Sequence, residues 1–405
     1  MSQPCQPFEH RVVVVAGVAG SGKSTLGRAL AADLRLPLID LDAVTTPLLD
    51  ALDSETWGGG HWLRGAHASA IREGRYAALR AVAADVVATT GGAVLVAPFT
   101  RELEGGAEWE LLQAAVAPVV PRVLHLHGDP GLLASRRAMR GSPRDDHRIE
   151  ERLRSPSIPV VSVDADLSPA QQLVRARCAV GMRTPIDRAS AVFSRSFDAV
   201  LFDLDGTLVD STASVIRAWR RFAEHYGVSM EALHATHGQP AHTLVTRLLP
   251  PELRAEGVAR VLDLELADTV ELPGVLGARE LYDGIPPERR AVVTSGTRRL
   301  ATARLRAAGF DAPDVFVTAD DVSNGKPDPE PFLTAADRLG IDPARCLVVE
   351  DAPAGILAAR AAGCTVIGLT GTVADSELPA DLLLDGLDRI TTTLAADGLR
   401  VQAVG

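Results

Sequence analysis

Asp203 and Asp205 stand two residues apart at the end of an apolar run, Phe197–Phe202. Side chains alternate along a strand with a period of two, so both carboxylates can face one site. Asp203 can then attack phosphorus and become an aspartyl phosphate. Asp205 can protonate the leaving alcohol and later activate water. Gly206 permits the sharp turn that follows. Three later segments supply what this chemistry needs. Thr294-Ser295-Gly296 offers the Thr294 hydroxyl and backbone amides at the end of a second strand. Lys326 sits in a Pro-stiffened loop, Gly325-Lys326-Pro327-Asp328-Pro329, and can neutralise charge shared by Asp203 and a phosphoryl group. Glu350-Asp351 ends a further strand and, with Asp203 and Asp205, offers hard oxygen ligands for Mg2+. Each fragment alone is also an ordinary strand end or turn; the four together, in this order, point to phosphate-ester chemistry.

A second phosphate-handling motif lies near the N-terminus. Gly17-Val18-Ala19-Gly20-Ser21-Gly22-Lys23-Ser24-Thr25 follows a Val-rich strand and opens a helical stretch. Glycines let backbone N–H groups turn inward around a β-phosphate, and the helix N-terminus adds partial positive charge. Lys23 can bridge the β- and γ-phosphates of ATP, and the Ser24 hydroxyl can ligate Mg2+. The next strand ends in Asp40-Leu41-Asp42. One of these acids can hold Mg2+ and the other can accept the proton of an attacking hydroxyl; an ordinary acidic strand end would instead face solvent. Arg136, Arg137, Arg140 and Arg144 follow one another on a helix and its exit, as a lid closing over ATP would require or as ordinary surface charge would allow.

These motifs need strands to carry them. Apolar runs alternate with Ala/Leu/Arg-rich stretches throughout, which predicts α/β architecture with parallel sheets. The expected strands are Arg11–Ala16, Pro37–Asp40, Ala93–Ala97, Arg122–Leu126 and Pro159–Val163 in the first half. In the second they are Phe197–Phe202, Arg290–Val293, Val315–Thr318, Cys346–Val349, Thr365–Leu369 and Asp381–Leu384. A helix over Pro169–Val180 closes the first domain, residues 1–182, and 183–196 reads as a linker to a second domain, 197–400. Between Asp210 and about Pro273 no strand is expected, so that stretch reads as a helical insertion.

Composition narrows the setting. The chain has 405 residues, too many for one ordinary domain. Residues 1–182 hold 19 Lys+Arg against 20 Asp+Glu, whereas residues 183–405 hold 22 against 32, so the net −11 lies almost wholly in the second half. An acidic half is a poor partner for nucleic acid or an anionic membrane. Only two of the 41 basic residues are Lys, and they are Lys23 and Lys326, one in each phosphate motif. A compact ammonium on a flexible stem serves there where the wide Arg fork would not fit. The four cysteines are scattered, no secretory or membrane-spanning segment is apparent, and a cytoplasmic setting is expected.

Residues 197–400 are similar to the haloacid dehalogenase superfamily. Thr294–Arg298, Thr318–Val322, Gly325–Phe332 and Glu350–Ile356 resemble the glycerol-phosphate and 2-deoxyglucose-6-phosphate phosphatases. The resemblance implies that about 210–273 is a cap closing on a small sugar or polyol phosphate, with His237-Gly238-Gln239 lining it. The first 180 residues resemble the small-metabolite kinases related to gluconate and shikimate kinase. That resemblance implies Rossmann-like P-loop architecture, with Asp42 at the acceptor hydroxyl and Arg64 or Arg101 on an anionic acceptor. Trp57–Trp62 departs from that pattern. The expectation is a bifunctional enzyme. Two rivals remain: an end-healing enzyme like polynucleotide kinase-phosphatase, and a phosphatase with a nucleotide-sensing N-terminal domain.

Overall fold

The computed structural model describes residues 11–52, 61–64, 66–141, 145, 155–229, 241–270 and 272–404. The chain divides into two compact units, Met1–Met182 and Arg183–Gly405.

Unit 1 is built on five parallel strands: β1 Arg11–Gly17, β2 Leu38–Asp40, β3 Gly92–Ala97, β4 Arg122–His127 and β5 Val161–Asp164, in the order β2-β3-β1-β4-β5. Central strands β1 and β3 read Arg-Val-Val-Val-Val-Ala-Gly and Gly-Ala-Val-Leu-Val-Ala, and nearly every residue is buried. Helices cover both faces, and such doubly covered strands carry unbroken apolar runs rather than alternation. One face packs against Tyr76, Leu79 and Phe99, the other against Leu26, Leu30 and Ala176. Helix Pro169–Ala179 starts at a capping box in which Ser168 and Gln171 satisfy each other's backbone amides.

Unit 2 holds six parallel strands: β7 Ala199–Phe202, β8 Arg290–Val293, β9 Val315–Val317, β10 Cys346–Glu350, β11 Thr365–Leu369 and β12 Leu382–Leu384. Their order is β12-β11-β10-β7-β8-β9, which puts β7, β8 and β10 side by side at the centre. The run expected as one strand, Phe197–Phe202, is split at Asp198. Its first part, β6 Ser196–Phe197, joins a separate antiparallel sheet with β13 Ile390–Ala395 and β14 Gly398–Ala403. That C-terminal hairpin was not among the expected strands.

Residues 183–196, read above as a linker, are pinned to unit 2. Arg183 pairs with Asp385 (3.1 Å) and Asp388 (2.6 Å), the Thr184 amide donates to Asp385 (2.7 Å), and Val192 is buried. The physical reason is Asp385, a buried carboxylate that Arg183, Thr184 and Arg389 all satisfy.

The insertion is helical where described: Thr212–Tyr226, Ala241–Leu248 and Arg254–Ala267. These helices bury a small core of their own around Trp219, Phe222, Leu244, Val245 and Val261. The chain leaves and re-enters the main body at one crossing, where the Asp210 amide donates to the Pro273 carbonyl (2.9 Å) and Val209 bridges Gly274. Among the described residues no helix is long and apolar enough to cross a membrane.

Candidate active sites

Parallel strands end together, so residues just past β7, β8 and β10 meet at one edge of the unit 2 sheet. Asp203 follows β7 and extends its pairing, its amide donating to the Val349 carbonyl (2.9 Å). Thr294 follows β8, its amide donating to the Val317 carbonyl and its hydroxyl accepting from the Gly296 amide (3.0 Å). Glu350 ends β10 and Asp351 follows it. Carboxylate oxygens of Asp203, Glu350 and Asp351 all lie within 4.8 Å of one another, and all three side chains are buried. Lys326 enters from the loop before helix Glu330–Leu339. Its ammonium donates to Asp203 Oδ1 (2.5 Å), Glu350 Oε1 (2.9 Å) and the Val293 carbonyl (2.9 Å). Those three acceptors use all the hydrogen-bonding capacity of an ammonium.

The two acids at the end of β10 are engaged differently. Glu350 accepts from Lys326 on one oxygen and from the Ala352 amide (2.7 Å) on the other. Asp351 accepts from Thr372 Oγ1 (2.5 Å) on Oδ2. Two glycines make room for these carboxylates. At Gly206, in the left-handed region with φ 87°, a Cβ would lie 2.0 Å from Asp351 Oδ2; at Gly355 it would lie 1.5 Å from Glu350 Oε1.

Three buried carboxylates against one ammonium leave an excess of negative charge, which adds to burial in opposing their ionisation. Burial pushes Asp203 up to about 8, with Lys326 pulling it down and Glu350 and Asp205 pushing it further up. Burial, then Glu350 and Asp203, also raises Asp351 well above the carboxylate range. Burial opposes the charged form of Lys326, but Asp203 and Glu350 outweigh it and hold the ammonium above its ordinary pKa. A hard divalent cation fits this donor set, because it supplies the missing positive charge and takes oxygen ligands.

Asp205 was expected among the metal ligands, yet its side chain lies outside the trio. Oδ2 accepts from Arg304 (2.8 Å) and Oδ1 from Ser211 (2.5 Å). Neither partner was singled out from the sequence. Arg304 is one of 39 arginines, and only the fold shows it buried. Thr372 was likewise missed. His237, Gly238 and Gln239 lie outside the described residues.

In unit 1 the phosphate loop joins β1 to helix Lys23–Leu34. Gly20 and Gly22 have φ near 90°, and a Cβ on Gly20 would lie 2.5 Å from the Leu133 carbonyl. Gly17, where the loop begins, is similarly tight, its Cβ position 2.7 Å from the Leu126 carbonyl. Lys23 is buried, and the fully buried Ser21 hydroxyl finds no partner among the described residues. A buried, unsatisfied hydroxyl within a curl of amides fits a phosphate ligand. Ser24 Oγ donates to Asp40 Oδ2 (2.9 Å), whose other oxygen caps the next helix through the Asp42 amide (3.0 Å). Asp42 itself is held by Arg75 (2.6 Å), another residue not anticipated. Arg137 donates to the Ala19 carbonyl of the loop (3.2 Å). Arg140, expected with it on ATP, instead pairs with Asp145 (2.6 Å), and Arg136 donates to the Ala165 carbonyl. Thr25 and Arg101 are exposed. Arg144 and Trp57–Gly60 are outside the described residues.

Comparison with known proteins agrees with both halves. The haloacid dehalogenase-like hydrolase profile matches residues 197–363, and the shikimate kinase profile matches 19–137. Hexitol phosphatase A of Escherichia coli is 42% identical over 208 residues, covering 49% of this chain and 95% of that protein. Validoxylamine A 7'-phosphate phosphatase of Streptomyces hygroscopicus is 39% identical, covering 48% and 96%. Glycerol-1-phosphate phosphohydrolase 1 of Saccharomyces cerevisiae is 34% identical, covering 44% and 77%. A relative this similar, matched over nearly its whole length, leaves one conclusion for the C-terminal half: the chain belongs to the haloacid dehalogenase-like hydrolases.

Proposed function

We propose that this chain is a bifunctional enzyme, a Mg2+-dependent phosphatase of a small sugar or polyol phosphate joined to an ATP-dependent kinase of a small hydroxylated metabolite. The observation that carries the phosphatase reading is the Lys326 ammonium bridging Asp203 and Glu350 beside Asp351. Asp203 is the nucleophile: a carboxylate oxygen bonds to phosphorus as the ester's P–O bond breaks. Asp205 gives its proton to the departing alkoxide. It then takes one from water, whose oxygen attacks phosphorus, releases inorganic phosphate and restores Asp203. Lys326 favours the ionised form of Asp203 and offsets charge on the phosphoryl oxygens, and Thr294 offers its hydroxyl to one of them. Mg2+ would be held by Asp203 and Asp351, and it supplies further charge neutralisation. Asp351 is favoured over Glu350 as the direct ligand because both Glu350 oxygens already accept hydrogen bonds. The substrate class is supported by the relatives, whose names specify hexitol, glycerol 1-phosphate and validoxylamine A 7'-phosphate.

For residues 1–182 we propose ATP binding by Gly17–Thr25, with Lys23 on the phosphates, Ser24 and Asp40 as the Mg2+ side, and Asp42 as base. The Ser24–Asp40 bond and the partnerless Ser21 hydroxyl support this assignment. Among the described residues the thiols of Cys346 and Cys364 are in no disulfide, which suits a cytoplasmic setting.

The test is phosphate release from sugar and polyol phosphates and from 3′-phosphorylated oligonucleotides, for wild type and Asp203→Asn, alongside phosphate transfer from ATP by wild type and Lys23→Ala. Turnover of a small ester that vanishes in Asp203→Asn supports the phosphatase. Turnover of oligonucleotide ends alone would sink the small-ester reading and favour an end-healing enzyme. ATP binding without transfer to any acceptor would leave unit 1 a nucleotide sensor.

A further inference from the structure

We propose that Arg304 is a positioning residue that holds Asp205 in register with the helical cap, through Glu265. This rests on the reading of Asp205 as the acid/base.

Arg304 lies on helix Arg298–Ala307 of the main body and is almost fully buried. One arm of its guanidinium donates to Asp205 Oδ2 (2.8 Å). The other arm points at Glu265 Oε1, 3.7 Å away, on cap helix Arg254–Ala267. Glu265 is also buried and accepts from Trp219 Nε1 (3.1 Å), so it is fixed to a second cap helix, Thr212–Tyr226. The chain of contacts therefore runs from the reacting edge of the sheet, through one side chain, to the interior of the cap.

Two features separate this from an ordinary buried ion pair. First, Arg304 is incompletely satisfied: its Nε and the arm facing Glu265 donate no hydrogen bond among the described residues. Buried donors are nearly always paired, and an apolar side chain of similar volume would serve packing better than a half-bonded guanidinium. The 3.7 Å separation exceeds the hydrogen-bond range of about 2.7–3.2 Å by roughly half an ångström. A small seating movement of the cap would complete the bond. Second, the other oxygen of Asp205 is held by Ser211, which follows directly on the Asp210–Pro273 crossing where the cap joins the body. Both grips on Asp205 therefore respond to the cap, one at its hinge and one at its core. Seating the cap sets the direction of the carboxylate, and unseating it releases both grips.

The experiment compares Asp205→Asn, Glu265→Gln, Arg304→Met and the Glu265→Gln/Arg304→Met double variant in full-length protein with Mg2+. Steady-state turnover of glycerol 1-phosphate, or of glucitol 6-phosphate if that is faster, reports a step in which an alkoxide must be protonated. The pre-steady-state burst of p-nitrophenolate from p-nitrophenyl phosphate reports attack by Asp203 alone, since that leaving group needs no proton. We expect Glu265→Gln to lower kcat for the alkyl ester about 3- to 30-fold, the range typical of coupling between linked sites, with KM and the burst little changed. Arg304→Met should lose more in the same selective way, and the double variant should be no worse than Arg304→Met. Glu265→Gln without effect on alkyl turnover would overturn the proposal. So would an equal fall of burst and turnover, which is the signature of a merely structural role. Should Arg304→Met fail to fold, Glu265→Gln still decides. Asp205→Asn that retained alkyl turnover would instead remove the acid/base reading itself.

Discussion

Replacing Lys326 with Met should expose how much of unit 2 depends on one ammonium. Asp203, Glu350 and Asp351 are buried together, and among the described residues Lys326 is the one cation bonded to two of them. The substitution keeps the stem's volume and its packing against Phe332, over whose ring Nζ lies at 5.0 Å. Breaking a buried pair by removing one partner costs about 3–5 kcal/mol. At roughly 2–4 °C per kcal/mol for a unit of this size, that predicts a fall in Tm of about 6–20 °C in metal-free buffer. The loss should depend on pH, and the sign can be worked out. The folded-state pKa of Asp203 is already raised to about 8, so folding favours its neutral form, and what that group adds to stability fades as pH rises through 8. Without Lys326 the neutral form is favoured still more. At pH 6 the cluster can relieve itself by taking a proton; at pH 9 it can do so far less. The deficit against wild type should therefore be larger at pH 9. Mg2+ should return part of it, because a ligand bound only by the folded state raises Tm. Differential scanning fluorimetry at both pH values, with EDTA and then with Mg2+, is sufficient, and kcat should fall about 10²- to 10³-fold. A variant within about 2 °C of wild type at both pH values would refute the account of Lys326 as the main counter-charge of this site.

Other perturbations test neighbouring parts of the argument. Gly206→Ala places a methyl 2.0 Å from Asp351 Oδ2 at a positive-φ turn, so it should cost about 1–3 kcal/mol of stability from backbone strain alone and displace the ligand, seen as lower Tm and at least a tenfold fall in kcat. In unit 1, Gly20→Ala drives a methyl into the Leu133 carbonyl and should weaken ATP binding in calorimetry at least as much as Lys23→Ala. Asp321 is held at about 2: its burial works against it but is outweighed by hydrogen bonds from Thr318, Arg338 and Arg298. Its contribution is present above pH 4 and lost as pH falls toward 2, so Asp321→Asn should flatten the acid limb of the stability profile, measured by urea unfolding across that range.

The parts of this chain that could be read from sequence are those where chemistry and local geometry use the same residues. A phosphate loop must have its glycines at set positions, because backbone at positive φ, as at Gly20 and Gly22, tolerates little else. Acids at the ends of buried strands are visible because β7 and β10 are unbroken apolar runs that stop at Asp203 and at Glu350-Asp351. What escaped notice depends on partners distant in the chain. Arg304 and Asp205 are 99 residues apart, Arg75 and Asp42 33 apart, and Lys326 and Asp203 123 apart. Lys326 was found because lysine is scarce here, whereas Arg304 and Arg75 were hidden among 39 arginines. The linker was misjudged for the same reason: Arg183 and Thr184 look like solvent-facing residues until Asp385, some 200 positions on, is seen beside them. The C-terminal hairpin is a different case. Its β-branched run Ile390-Thr391-Thr392-Thr393 and the Asp397-Gly398 turn are a recognisable strand-and-turn signal. The expectation of one parallel sheet left that signal no place, and the chain resolved the conflict by building a second sheet around Phe197. Long-range pairing, rather than local propensity, thus separates the residues that perform the chemistry from those that hold them, and Asp205 is where the two sets meet. Its role is written in its spacing from Asp203, and its orientation is set by Ser211 and Arg304, which no spacing could indicate.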